Sequence, residues 1–252
     1  MIWLRSAIYQ LWFYSVSVVL VLACAPLMVL PQSMARPSVF AVARLWARLT
    51  LGGLGPICGI RIVITGWENL PTDGPALIAS NHQSAFDTII WMKLLDRVAY
   101  VLKQDLQRIP LYGQICVTTG MIIVDRFAGA NAIRALLAGA ARVVAEGRTI
   151  VIFPEGTRVA PGSVGVLHPG VAGIASHTGV PVIPVVTNSG EHWGRRGFRR
   201  FPGTITVAIR PALPAGLRRQ ELLNRLAEEY RRGVTGSVDN SVERSAVGFQ
   251  QS

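Results

Sequence analysis

Acidic residues are scarce in this chain of 252: 14 aspartates and glutamates face 25 lysines and arginines, for a formal net charge of +11. Lysine is scarcer still, occurring only at Lys93 and Lys103, so almost every positive charge is an arginine. A GC-rich coding bias accounts for arginine over lysine but not for the missing acids. A surface so biased suits an anionic leaflet or a phosphorylated substrate. The absence of any aromatic–basic RNP-type run excludes nucleic acid from the expected partners. Charged residues of both signs make up 15% of the chain, below the roughly 25% of a soluble domain, while half the residues are hydrophobic. Part of the chain is therefore expected in a bilayer. The three cysteines, Cys24, Cys58 and Cys116, form no C-x-x-C pair. That excludes a disulfide framework and points to packing residues in a reducing compartment. There is no G-x-S-x-G elbow, which counts against a serine hydrolase, and no internal repeat.

What the sequence does have is a long uncharged run. From Ile8 to Leu30 no residue carries a charge, and 23 residues of helix reach roughly 35 Å, enough to cross a hydrocarbon core of about 30 Å. Tyr9, Trp12 and Tyr14, with Trp3, make an aromatic belt at one end. A full span and a monotopic helical hairpin broken near Pro26 or Pro31 are both compatible with this run. A lipidated Cys24 is a third reading. A cleaved signal peptide at Ala23-Cys24-Ala25 is opposed by Pro26 and the apolar residues after it. Arg36, Arg44 and Arg48 follow the run, which favours a cytoplasmic side for the rest of the chain.

Residues 31–55 read as an amphipathic connector with Phe40, Val42, Leu45, Trp46 and Leu49 near one face. Beyond it, short β-rich runs occur at 61–65, 76–79, 99–102, 121–124, 149–153, 182–187 and 204–209. Helical patterns fall at 87–95, 131–146, 171–178 and 217–232. Gly147 and Gly179 close two of these helices. Strands alternating with helices predict an α/β fold with a mixed, largely buried central sheet flanked by helices. The expected organisation is a membrane-anchoring segment and connector over 1–55, a catalytic domain over 56–232, and a disordered polar tail over 233–252.

The most informative stretch is Asn81-His-Gln-Ser-Ala-Phe-Asp87, between a buried strand and an apolar-periodic helix. His82 thus stands at the carboxyl end of a strand, where open α/β sheets gather binding residues. On one continuous helix His82 and Asp87 would point about 140° apart. They can meet only if His82 lies in the turn and folds back over the first helical turn. Asp87 would then fix the imidazole tautomer and leave the other ring nitrogen as a base for a substrate hydroxyl. The competing reading is structural: Ser84-x-x-Asp87 as a capping box, His82 as a satisfied turn residue. Ser84 as a nucleophile is a third.

Other strand ends bring charges. Phe153-Pro-Glu-Gly-Thr-Arg158 follows the strand TIVIF, with Gly156 allowing close backbone approach and Arg158 offering a fork suited to phosphate. Glu155 and Arg158 could instead pair locally. Asp125-Arg126 follows GMIIV, and Lys103 follows AYVL. Together with His82 and Asp87 these describe a pocket for an anionic substrate with a base at its centre. Val180-Pro-Val-Ile-Pro-Val-Val carries two prolines and reads as an edge strand or irregular pairing.

The four stretches resemble the motif blocks of the glycerolipid acyltransferase family, in particular its bacterial 1-acyl-glycerol-3-phosphate branch. NHQSAFD is similar to the N-H-x-x-x-x-D motif, LKQDLQRIPLYGQICVTTGMIIVDR to the second block, FPEGTR to the third and VPVIPV to the fourth, in the same order across roughly residues 66–211. NSGEHWGRRGFRRFPGTITVAIRP resembles one bacterial branch. The resemblance implies transfer of a fatty acyl group from acyl-CoA or acyl-carrier protein to the sn-2 hydroxyl of lysophosphatidic acid, giving phosphatidic acid. It implies His82 as base and Asp87 as its orienter. Glu155, Gly156, Thr157 and Arg158 would hold the glycerol phosphate, with Lys103 and Arg126 contributing. No metal or bound cofactor is implied, and the expected location is the bacterial inner membrane with the catalytic domain on its cytoplasmic face. Glycerol 3-phosphate and lyso-ornithine lipid are alternative acceptors within the family; a non-catalytic lipid-binding protein is the alternative outside catalysis. One departure concerns the acceptor: many relatives carry a K-x-G lysine where this chain has Leu167-His168-Pro169-Gly170.

Overall fold

The computed structural model describes residues 1–195 and 197–235. Eight α-helices of the described residues are α1 (Ile2–Cys24), α2 (Gln32–Gly52), α3 (Phe86–Leu94), α4 (Tyr112–Thr118), α5 (Ala130–Ala145), α6 (Gly170–Thr178), α7 (Ser189–His192) and α8 (Arg219–Thr235). The strands are β1 (Ile60–Thr65), β2 (Leu77–Ser80), β3 (Ala99–Lys103), β4 (Ile122–Val124), β5 (Ile150–Ile152), β6 (Val182–Thr187) and β7 (Gly203–Ile209). All seven β-rich runs of the sequence are strands, in one sheet of order β1-β7-β6-β2-β5-β3-β4. Every neighbouring pair is parallel except β6–β7, so the sheet is mixed.

Strand alternation feeds two cores. Ile78, Tyr100, Val151, Ile183 and Val185 face one side, where Phe86, Ile89, Ile90 and Trp91 of α3 meet Tyr9 of α1 and Ala47 and Leu51 of α2. Leu77, Ala79, Ile150, Ile152 and Val186 face the other, covered by Leu136, Ala140 and Val143 of α5, Val171 and Ile174 of α6, and Leu222, Leu226 and Tyr230 of α8. The sheet is therefore buried on both faces, as the apolar character of its central strands requires.

Several local expectations are corrected. The uncharged run is not one helix from Ile8 to Leu30. Helix α1 starts at Ile2 and ends at Cys24, a 3-10 turn covers Ala25–Val29 with Pro26 at its start, and α2 begins just after Pro31. Arg5 lies inside α1 and is exposed, its Nη1 3.5 Å from where a Cβ on Gly59 would stand. The result is a helical hairpin; its first limb, Ile2–Val29, is also long and apolar enough to cross a membrane. In α2 the buried face is Ala35, Val39, Phe40, Ala47, Thr50 and Leu51, whereas Leu45 and Leu49 are exposed. Small residues face inward there because α1 and α3 approach closely. Helix α8 continues through Gly233, where a Cβ would lie 2.3 Å from Val186 Cγ1; the glycine lets the helix close on β6. The rest of the expected polar tail, from residue 236, lies outside the described residues.

The two prolines do not make β6 an edge strand, since it lies between β2 and β7. Pro184 pairs in register with Ala79 on the β2 side. On the other side it falls one residue beyond the β6–β7 ladder, which ends at Val185↔Ile209. There the Pro184 carbonyl still accepts from the Arg210 amide at 2.9 Å, and the donor that proline lacks falls at the very end of the ladder.

Candidate active site

Because β6, β2, β5, β3 and β4 run parallel and adjacent, their carboxyl ends share one edge of the sheet. The sequence order of the charged stretches is thereby turned into a spatial cluster. His82 and Asp87 come from the turn after β2, residues 153–158 from the loop after β5, Lys103 from the end of β3, and Arg126 from the residues after β4.

The His82 turn is built by capping. Asp87 accepts at Oδ2 from the backbone N–H groups of Gln83 at 2.7 Å and Ser84 at 2.8 Å, and the Ser84 hydroxyl accepts from the Phe86 N–H at 2.9 Å. The same Oδ2 lies 3.0 Å from His82 Nδ1. Asp87 is 1% exposed, so its charge is neutralised by these donors rather than by water. The capping box and the His–Asp pair are thus one structure, and His82 folds back over the first turn of α3. Phe153 stacks on the imidazole, ring centroids 4.2 Å apart and planes 22° from parallel. With Nδ1 held by Asp87, a proton can be accepted at Nε2. The backbone of His82 is held as well: its N–H donates to Glu155 Oε2 at 2.8 Å and its carbonyl accepts from Val159 N–H at 2.7 Å.

His82 opens on a cavity of about 760 Å³. Its polar lining includes Lys103, Arg126, Arg158 and His168, with Arg44 and Arg97, and its apolar lining includes Phe40, Trp46, Met92, Leu102, Tyr112, Ile115, Met121 and Leu136. Phe40, Ala43 and Trp46 come from α2, so the segment read as a connector also forms a wall of the cavity. Arg126 donates to the Gly156 carbonyl at 2.7 Å, joining the β4 and β5 ends. Burial lowers the pKa values of both Arg126 and Arg158 from the usual arginine value; each would gain from an anion beside it. Gly156 has φ +65, and a Cβ there would lie 2.9 Å from Arg126 Nη1 and 3.0 Å from His168 Cδ2.

Two residues of the FPEGTR stretch stand apart from the cavity wall. Glu155 is buried, and its carboxylate accepts from the N–H groups of His82 and of Gly165, the latter at 2.9 Å. Burial lifts its pKa above the ordinary range against the pull of those two donors. It does not pair with Arg158, whose Nη1 donates to the Arg195 carbonyl at 3.3 Å. Thr157 accepts at its hydroxyl from Arg195 Nη2 at 3.1 Å. Glu155 thus braces the backbone under His82, and Thr157 ties the loop to residue 195. Sequence reasoning also passed over Ser189, whose hydroxyl donates to Asp87 Oδ1 at 2.5 Å. A lone serine 102 positions downstream gives no local signal.

The chain as a whole is similar to known proteins. A family model described as "Acyltransferase" matches residues 61–188. The 1-acyl-sn-glycerol-3-phosphate acyltransferase of Pseudomonas aeruginosa is 33% identical over 192 residues, covering 75% of this chain and 74% of that protein. The protein of the same description from Borreliella burgdorferi is 36% identical over 133 residues, about half of each chain. Among solved structures, the 1-acyl-sn-glycerophosphate (LPA) acyltransferase of Thermotoga maritima superposes with a TM-score of 0.75 over 94% of this chain and 98% of that one, at 24% identity. The fold, the matched region and the relatives agree: this chain is a member of the acyltransferase family.

Proposed function

We propose that the protein transfers a fatty acyl group from a thioester carrier, acyl-CoA or acyl-carrier protein, to the sn-2 hydroxyl of 1-acyl-glycerol 3-phosphate. The observation that carries this reading is the setting of His82: clamped by Asp87 and Phe153, it lines the same cavity as the cations Lys103, Arg126 and Arg158 and a largely apolar set of side chains. A lysophosphatidic acid has the matching polarity, with a phosphate at one end, an acyl chain at the other and the reacting hydroxyl between.

In the proposed reaction His82 Nε2 takes the proton of the acceptor hydroxyl as its oxygen attacks the thioester carbonyl carbon. The tetrahedral intermediate collapses with cleavage of the C–S bond, and the imidazolium returns the proton to the leaving thiolate. General-base help from His82 is worth roughly 10²–10⁴ in rate, and the Asp87 carboxylate stabilises the imidazolium between these steps. Lys103, Arg126 and Arg158 hold the phosphate, and Gly156 leaves room for it beside the backbone. Side chains supply every step, so no metal or bound cofactor is required. The exposed apolar hairpin supports a membrane location. The arginines after the uncharged run support a site on the cytoplasmic side, and the resemblance to the bacterial branch of the family supports a bacterial inner membrane.

The deciding experiment is an acceptor panel on purified protein with one labelled acyl-CoA: lysophosphatidic acid, glycerol 3-phosphate and lyso-ornithine lipid. Lysophosphatidic acid is expected to turn over fastest, and Arg158→Ala to raise its KM about tenfold or more while leaving the KM of the acyl donor unchanged. Preference for lyso-ornithine lipid, or a change confined to the donor KM, would refute the phosphate assignment.

A further inference from the structure

We propose that Ser189, at the start of α7, is a positioning residue for the His82–Asp87 pair; this rests on the acyl-transfer reading of that pair. Asp87 is held unevenly. His82 Nδ1 and the Gln83 and Ser84 amides all converge on Oδ2, at 3.0, 2.7 and 2.8 Å. Oδ1 receives the Ser189 hydroxyl, at 2.5 Å. A carboxylate gripped at one oxygen can still turn about its Cβ–Cγ bond, and turning swings Oδ2 off the imidazole. A donor on the opposite oxygen fixes the plane. The hydroxyl is 0% exposed, and a bond this short from a hydroxyl to an ionised acceptor belongs to the stronger class of hydrogen bonds.

Ser189 is itself tightly placed. Its N–H donates to Thr187 Oγ1 at 3.1 Å, and its carbonyl accepts from Trp193 N–H at 2.8 Å. The chain on either side is joined to the His82 turn. The Asn81 side chain exchanges two hydrogen bonds with the Thr187 backbone, at 3.0 and 2.8 Å, and the Gly190 N–H donates to Gln83 Oε1 at 3.0 Å. A Cβ on Gly190 would lie 2.9 Å from Gln83 Cβ, so the two segments are in close contact. The end of β6 therefore sets the orientation of a general base carried by the end of β2. The other charged groups near the pair are Glu155, which braces the His82 backbone, and Arg158, which acts on Asp87 through space; residues 187–190 contribute no titratable side chain.

The test is Ser189→Ala in purified full-length protein, assayed with lysophosphatidic acid and labelled acyl-CoA. Loss of the hydroxyl is expected to lower kcat about tenfold, as for a favourable contact of about 1.4 kcal/mol, with both KM values within twofold. The freed carboxylate is more basic, so the acidic limb of kcat/KM is expected to move to higher pH. In an Asp87→Asn background the same change is expected to cost less than about threefold, because the group it orients is gone. Wild-type kcat with an unmoved pH limb overturns the proposal, and so does an equal loss in both backgrounds. If Ser189→Ala fails to fold, Ser189→Cys, of similar shape with a weaker donor, carries the same comparisons. Activity of the wild type and its loss in His82→Ala test the acyl-transfer reading separately. If both hold and Ser189 is dispensable, the role of Ser189 alone falls.

Discussion

Asp87 answers two needs with one carboxylate. It satisfies the amides of Gln83 and Ser84 in the turn that leads into α3, and it holds His82 Nδ1. Replacing His82 by Ala should therefore abolish acyl transfer at normal expression, with loss approaching the full 10²–10⁴ of general-base catalysis; membranes assayed with lysophosphatidic acid and labelled acyl-CoA check it. Glu155 makes the complementary case of a charged residue in the motif that works through backbone. In Glu155→Gln an amide NH₂ would face one of two N–H donors. We expect kcat to fall about tenfold and the acceptor KM to stay within twofold, because the contacts to His82 and Gly165, not to phosphate, are disturbed. A KM effect alone would instead return Glu155 to the phosphate site.

At the level of elements, α2 is bound to the catalytic body by a buried arginine. Arg148, 2% exposed, donates to the carbonyls of Arg97, Val98 and Thr119 and to Glu146 Oε2, and lies over the Phe40 ring at 5.2 Å. Arg36 of α2 donates to the same Glu146 oxygen at 2.6 Å. Arg148→Met would strand the Arg97 and Val98 carbonyls, leave that of Thr119 only Arg36 at 3.4 Å, and should destabilise by about 3 kcal/mol or more, read as a lowered denaturant midpoint. Glu146 adds a pH signature. Burial pushes its pKa up, but the bonds from Arg148 and Arg36 outweigh this and hold it below the ordinary 4.5. A carboxyl depressed on folding contributes stability above its unfolded pKa and loses it as pH falls through the folded one. Glu146→Gln should therefore flatten the stability of the protein between about pH 5 and lower values, as followed by acid unfolding in detergent.

The whole molecule is asymmetric. One side carries Trp3, Leu4, Leu11, Val18, Val19 and Leu22 of α1 and Met34 of α2, each more than half exposed. Such a continuous apolar surface exceeds what a soluble monomer presents. The hairpin is fastened to the body by Ser6, which accepts from the Arg200 amide at 2.8 Å, and by Tyr9, whose ring meets Trp193 edge-on with centroids 5.5 Å apart. The protein should therefore sediment with membranes, resist extraction by 1 M salt (an ionic strength at which the Debye length is about 3 Å), and be released by detergent. Release by salt alone would mean that arginines rather than the apolar face hold it. Because α1 packs against α2, which walls the cavity, deleting residues 1–31 should reduce acyl transfer as well as membrane binding, measured on the same fractions.

The elements of this fold were readable from local pattern. All seven strands and four of the helices follow from apolar periodicity and glycine stops, because burial on both faces of a sheet writes itself into consecutive residues. The candidates His82, Asp87, Lys103, Arg126 and Arg158 stand out in the sequence because each lies at, or within a few residues of, the end of an apolar strand. The tertiary structure decided what depends on contacts between distant segments: the break of the uncharged run into a hairpin, the central place of a proline-bearing β6, and the bracing role of Glu155. It also brought Ser189 to Asp87 across 102 positions. Hydrogen bonds and close approaches of this kind have no period, so only the packed chain reveals them.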